Sequence, residues 1–308
     1  MATRLGLIDL FRAAPRSIGR YTGTLLAVFV VQTIVTLAVM MGVAIVLAQA
    51  FGKLPIFDDA VDGDLVSLIW CLRFGKANFL AVIGIVLGGV LLWQLASWFL
   101  VGGLYGVLAN RPEGRRETAR CFGASGTTTY LAYARLALCS IPGWFVVLSV
   151  FAQSLLLVEK RLEYALTIPQ LAGALAIAFL PALLVLHVLW TISDYARVEL
   201  TLRGESHEPS VVMTYLRTAM YVLKRPATLA HAGIGWLAFV LVTVIYAYIA
   251  QGHPMYGAEG AIALFVIREG VALARTAIRF GVLAGQIELG KTRALPPMHV
   301  KVDAKKSG

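Results

Sequence analysis

The sequence predicts an all-α fold: a polytopic membrane helix bundle of six transmembrane helices joined by short interfacial amphipathic helices. Three observations predict it. Hydrophobic residues make up 59% of the chain and charged residues 14%, with a mean hydropathy of +0.78. Soluble domains sit near ~45–50% and ~25%. Apolar windows of about 20 residues recur, the length that crosses a ~30 Å hydrocarbon core. Lysine and arginine also collect in alternate connectors, as they do on the cytoplasmic side of membrane proteins.

Taken in order, residues 1–21 set Arg4, Arg12, Arg16 and Arg20 among Leu5, Leu7, Ile8, Leu10 and Phe11. This is the pattern of an amphipathic helix in the cytoplasmic interface. The AQA at 48–50 resembles a signal-peptidase site, but the apolar run before it is far longer than a ~7–15-residue signal core. It reads instead as a first span over 22–50. An acidic loop follows (Asp58, Asp59, Asp62, Asp64), with a short interfacial helix expected at 65–72 around Trp70. The second span covers 79–108 and contains two small-xxx-small spacings, Gly84/Gly88 and Gly102/Gly106, which permit close helix approach. A basic connector, 111–128, leads to a third span at 130–157 that opens near Arg135. The fourth span, 168–192, has Pro169 at its start and Pro181 in its interior, where a kink is expected. The longest inner connector, 193–227, contains a second amphipathic segment at 209–223. Spans five and six cover 228–250 and 256–285. Residues 1–290 thus form a single transmembrane domain, and 291–308 a polar, basic cytoplasmic tail.

Charge sets the orientation. Of 27 lysines and arginines, four lie in the N-terminal segment, four in 111–128, five in 193–227 and five in the tail. Only five fall in the opposite loops, and the remaining four lie within spans. That bias places both termini in the cytoplasm of a bacterial inner membrane. It also accounts for the +10 net charge without a nucleic-acid partner. Cys71, Cys121 and Cys139 are odd in number and widely spaced, which gives neither a disulfide framework nor a zinc pattern.

The chain also reads as three copies of one unit, a basic interfacial helix followed by a two-span hairpin, over residues 1–110, 111–204 and 205–290. The unit ends, GGLYGVLANRPEG, DYARVELTLRGES and RFGVLAGQIELGKT, place Tyr105, Tyr195 and Phe280 at near-equal intervals. The competing explanation is that any helix leaving a membrane ends in aromatic, small and basic residues. The stretch DYARVELTLRGES…LRTAMYVLKRPATLA, with ARTAIRFGVLAGQIELG after it, resembles bacterial six-span proteins similar to the membrane domain attached to some glycerophosphodiester phosphodiesterases. The resemblance covers about the last third of the chain and implies no catalytic residues. No stretch alternates strands and helices over the ~250 residues of a phosphodiesterase barrel.

The last span holds the polar residues least expected in lipid. Arg268, Arg275 and Arg279 share one helical face, with Glu269 beside them. His187, Thr191 and Asp194 share a face of the fourth span, and Gln94 and Gln153 offer uncharged partners. Intramembrane ionisable groups mark candidate sites. Arg268, Arg275, Arg279, His187 and Asp194 therefore form a candidate binding site for an anion or a lipid headgroup, or else an ion-pair network that holds spans together. Walker, dinucleotide and HExxH motifs are missing, and the five histidines are scattered, so no enzymatic activity, cofactor or metal is expected. Two functions remain. One is a scaffold or assembly subunit, with membrane lipids, anionic ones among them, and a protein docked at connectors 111–128 and 193–227 as partners. The other is a transport component, either a permease for a lipid-like or anionic solute or the membrane subunit of an ATP-driven exporter.

Overall fold

Nine helices carry nearly all of the described part of the computed structural model, which comprises residues 7–51, 67, 70, 75–162, 168–203, 210–252 and 258–292. They are α1 (Leu7–Arg20), α2 (Thr22–Phe51), α3 (Lys76–Asn110), α4 (Arg115–Cys139), α5 (Ile141–Leu162), α6 (Ile168–Arg203), α7 (Val211–Lys224), α8 (Pro226–Gly252) and α9 (Ala258–Thr292). Among the described residues there is no strand. The short helix expected at 65–72 lies outside them apart from Ser67 and Trp70, both helical. The tail beyond Thr292 and Cys71 also lie outside, while Cys121 and Cys139 are free thiols.

Among the described residues, five segments are long and apolar enough to cross a membrane: Thr22–Phe51, Leu80–Asn110, Ile141–Val158, Gly173–Arg203 and Pro226–Ala250. Their side chains stay uncovered. None of the most apolar stretch of α2 is buried, and Leu80, Phe145, Ile177 and Leu237 are each about two-thirds exposed. In water such a surface would be a liability, so it marks contact with lipid. The sixth expected span falls on α9, whose 35 residues suffice in length but are interrupted by Arg268, Glu269, Arg275 and Arg279.

Three boundaries differ from the sequence expectation. The third span, expected at 130–157, is divided at Ser140 between α4 and α5. Pro142 lacks the N–H that would bond back to Leu138, which weakens the joint at that point. The basic connector 111–128 is mostly helix, since α4 starts at Arg115 and packs along α3. The fourth span does not end at 192 either. α6 runs through Pro181 and on to Arg203, so Asp194 sits on a continuing helix and not in a loop.

These overhangs place the core. α3, α6 and α9 have 35, 36 and 35 residues, or roughly 52–54 Å at ~1.5 Å per residue, well beyond a ~30 Å hydrocarbon layer. Their C-terminal thirds contact one another and bury Leu104, Tyr105, Leu108, Val198, Phe280, Leu283 and Ile287. α4 adds Tyr133 to this core, and α7 packs Val222 against Ile192 and Tyr195 of α6 beside it.

Small residues set the closest approach, but only half of those singled out by spacing do so. A Cβ on Gly106 of α3 would lie 2.1 Å from Cβ of Ser125 on α4, whereas Gly84 and Gly88 have nothing within 4 Å. Gly106→Ala must therefore push α4 away, at about 1–3 kcal/mol, the usual range for overpacking. Gly84→Ala replaces glycine in an open helical position and should be neutral or stabilising by up to ~1 kcal/mol. Thermal unfolding of both variants in detergent checks this; equal melting temperatures would contradict the packing.

Candidate functional site

Asp194 is the centre of the polar network. Its side chain is 3% exposed, and its Oδ1 accepts from Arg279 Nη2 at 2.6 Å and from Arg197 Nη1 at 3.4 Å. Arg197 comes from the next turn of α6 and Arg279 from α9, so one carboxylate joins a local pair to a cross-helix pair. The Tyr105 hydroxyl of α3 lies 3.3 Å from both the Asp194 carbonyl oxygen and Gln286 Oε1 of α9, and can donate to either. The Tyr133 hydroxyl of α4 meets the Arg197 carbonyl at 3.2 Å and the Thr201 hydroxyl at 2.6 Å. One turn on, Glu199 pairs with Arg203 and accepts from the Thr218 hydroxyl of α7 at 3.1 Å. Stretched α6 thus offers polar groups to α3, α4, α7 and α9 at once.

Of the five residues expected to form one site, the structure brings together Asp194 and Arg279. Arg275 turns to α8, where it donates to Thr243 Oγ1 at 2.6 Å and lies 4.5 Å over the Phe239 ring. His187 meets the Leu229 carbonyl at 3.1 Å through Nε2, which must carry the proton because a carbonyl only accepts. Thr191 turns back to the His187 carbonyl of its own helix. Arg268 is partly buried and makes no hydrogen bond or ion pair among the described residues, while Glu269 accepts from Thr33 of α2 at 3.2 Å. Gln153 is exposed.

Sequence spacing missed Tyr105, Tyr133, Arg197, Glu199, Thr218 and Gln286. One signal was present for Gln286. It lies seven residues after Arg279 and so on the same helical face. Several polar atoms of the network are buried without a hydrogen-bond partner among the described residues, among them Gln286 Nε2, Arg197 Nε and the Tyr195 hydroxyl. No group of three or more His, Cys, Asp or Glu residues capable of holding a metal occurs among the described residues.

A second polar feature sits at the end of the bundle where α2 begins and α3 and α9 finish. It is a cavity of about 400 Å³ whose lining includes Arg12, Arg16, Arg20, Tyr21, Arg111 and Glu288. Burial pushes Lys291, beside it, below its ordinary value, against the opposing pull of Glu288 at 4.0 Å. No family model, curated protein or solved structure matches the chain.

The network carries a direct test. Asp194→Asn leaves Arg279, whose side chain is 44% exposed, and the partly buried Arg197 facing a neutral amide, and should cost about 1.5–3 kcal/mol, the usual worth of hydrogen bonds to a charged group. Asp194→Leu combined with Arg279→Leu should recover part of that loss, because the cross-helix pair is replaced whole while Arg197 still loses its carboxylate. Melting temperatures of the single and double variants decide it. A double variant no better than Asp194→Asn would mean that the pair does not hold α6 to α9.

Proposed function

We propose that this chain is a non-enzymatic integral inner-membrane protein, a scaffold or assembly subunit of a membrane complex, with six spans and both termini cytoplasmic. The observation that carries the reading is the packed core at one end of the bundle, where the C-terminal thirds of α3, α6 and α9 meet. α3, α6 and α9 pack directly on one another there, and the central carboxylate is paired within the fold. A scaffold needs a sealed, rigid interior, whereas a carrier needs one that hydrates.

The assignment of α9 as the sixth span is supported by where its polar groups go. Glu269, Arg275 and Arg279 meet α2, α8 and α6 respectively, and each is supplied with a partner by a neighbouring helix. That is how a charged helix crosses a membrane.

A threefold repeat is supported by the order of contacts. The units are α1–α3, α4–α6 and α7–α9, each opening with a helix that carries basic residues. α4 packs on α3, α7 on α6 and α1 on α9, so every opening helix rests on the last helix of the preceding unit and the ring closes. Matching Tyr105, Tyr195 and Phe280 brings Leu104, Asp194 and Arg279 into register. The central ion pair then joins two equivalent positions, and the third is apolar. Small Gly106, Ala196 and Gly281 follow at the next position.

Docking is supported by α7, in the connector 193–227. Its Val212, Leu216, Met220 and Leu223 are each more than half exposed, beside Arg217 and Lys224. Anionic lipid or a neighbouring membrane protein suits such a face. One observation favours the transport reading: Arg268, within α9 and unpaired among the described residues.

Cysteine accessibility separates the two. Leu104→Cys and Leu283→Cys, 6% and 1% exposed in the native chain, would be made in a background lacking Cys71, Cys121 and Cys139. A membrane-impermeant maleimide is then applied to right-side-out and inside-out vesicles. The scaffold reading expects no labelling from either face. Labelling of either position would give the transport reading its water-filled path. Arg116→Cys, on exposed α4, should label in inside-out vesicles alone, and the opposite pattern would reverse the proposed topology.

A further inference from the structure

We infer that the arginine cavity between α1, α3 and α9 binds a phosphate-bearing anion, as a phospholipid headgroup or as a free phosphate. The inference stands whether or not the bundle is sealed.

Charge argues for it first. Four guanidinium groups (Arg12, Arg16, Arg20 and Arg111) line the cavity against one carboxylate, Glu288, leaving three positive charges in excess. Arg12, Arg16 and Arg20 are spaced i, i+4, i+8, so a single helix turns all three to one side. Two of the four are already engaged. Arg111 Nη2 pairs with Glu288 Oε1 at 2.5 Å, and Arg20 reaches Glu113 at 3.5 Å. Arg12 and Arg16 have no ion pair or hydrogen bond among the described residues. These arginines are exposed at the cavity, so solvent screens part of their repulsion, and a tetrahedral oxyanion can still answer several guanidinium donors at once.

The walls are built independently of any ligand. The Tyr21 hydroxyl reaches the Pro112 carbonyl at 3.4 Å, and Arg20 donates to the Arg111 carbonyl at 3.3 Å, tying the α1–α2 corner to the end of α3. α1 is held against α9 by a close approach in which a Cβ on Gly281 would lie 2.8 Å from Ala14 Cβ. These contacts fix the distance between the arginines of α1 and Arg111.

The backbone supplies the third argument. Arg111 caps α3 in the left-handed region, at φ 52° and ψ 52°, with its N–H on the Val107 carbonyl. Glycine normally fills this position, because a side chain there costs roughly 1 kcal/mol or more. An arginine held there places its guanidinium in the cavity at a cost in backbone strain. Strain of this kind gathers at ligand sites.

The test uses the full chain in lipid nanodiscs. Three settings are compared by thermal unfolding: phosphatidylcholine alone, phosphatidylcholine with phosphatidylglycerol, and phosphatidylcholine with inorganic phosphate in the buffer. Wild type should melt higher with phosphatidylglycerol, with phosphate or with both. The first outcome identifies a headgroup and the second a free phosphate. Arg12→Gln/Arg16→Gln removes the two unpaired groups and should weaken the effective probe by about tenfold or more, the loss of one or two charge-assisted contacts. Arg111→Gly keeps, or relaxes, the helix cap and should weaken it similarly. Arg115→Gln/Arg116→Gln on exposed α4 alters surface charge outside the cavity and should leave the shift intact. The inference fails if neither probe stabilises wild type, if the cavity variants keep the full shift, or if the α4 control loses as much as they do.

Discussion

A carboxylate enclosed among helices needs a countercharge, and Asp194 governs much of this architecture for that reason. Desolvating a charge costs several kcal/mol, and only a well-placed partner recovers it. Arg279 supplies the partner from α9, which sets the rotation and height of α9 against α6. Tyr105 then reads the backbone carbonyl of the same residue, so α3 is located by the turn that holds the charge. Tyr133 and Thr218 take up the following turns of α6 at Thr201 and Glu199. Such pairs contribute little net stability compared with apolar replacements, and this one is made only in the register that brings Asp194 to Arg279. Among long apolar helices, many registers would otherwise pack almost as well.

Two solvents explain why the core lies where it does. Between helices surrounded by lipid there is no hydrophobic drive, since lipid tails are as apolar as leucine. The most apolar stretches of α2, α3 and α8 are accordingly almost uncovered. Past the bilayer, helices meet water, and apolar groups there gain by contact. α3, α6 and α9 extend into that zone, and their C-terminal thirds bury Leu104, Val198, Phe280, Leu283 and Ile287. The fold therefore combines a loosely packed membrane region with a soluble-like core at one end.

This division also explains what the sequence could convey. Long apolar runs announce spans directly, and α2 and α8 begin and end within two residues of expectation. The overhangs were concealed because they carry charge: Arg115, Arg116 and Arg120 open α4, and Asp194, Arg197, Glu199 and Arg203 lie in the last turns of α6, so both stretches read as connectors. The ion pair was legible in part. Asp194 and Arg279 stand out as charges in apolar surroundings, and geometry joins them. Arg275 and His187 stand out equally, but Thr243 and the Leu229 carbonyl satisfy them locally. Single-sequence spacing ranks residues on one helix and is blind to which neighbour each face meets. The cavity arginines were hidden differently, since Arg12, Arg16, Arg20 and Arg111 look like ordinary cytoplasmic-side charge.

The two polar centres make different uses of arginine, and the difference links them. At Asp194 the guanidinium groups face a fixed carboxylate, so that region can be completed by the chain alone. At the cavity, guanidinium groups from the first helix of the chain face Arg111 of α3 and Glu288 of α9, with positive charge left over. α1 is also the helix that rests on α9, so the first and last described helices meet there. An anion held in the cavity would bind the associated arrangement of α1, α3 and α9 and not the dissociated one. By mass action it would stabilise that closure in proportion to its occupancy. The internal ion pair sets the register of the long helices, and the external anion governs how firmly the first helix is held onto them.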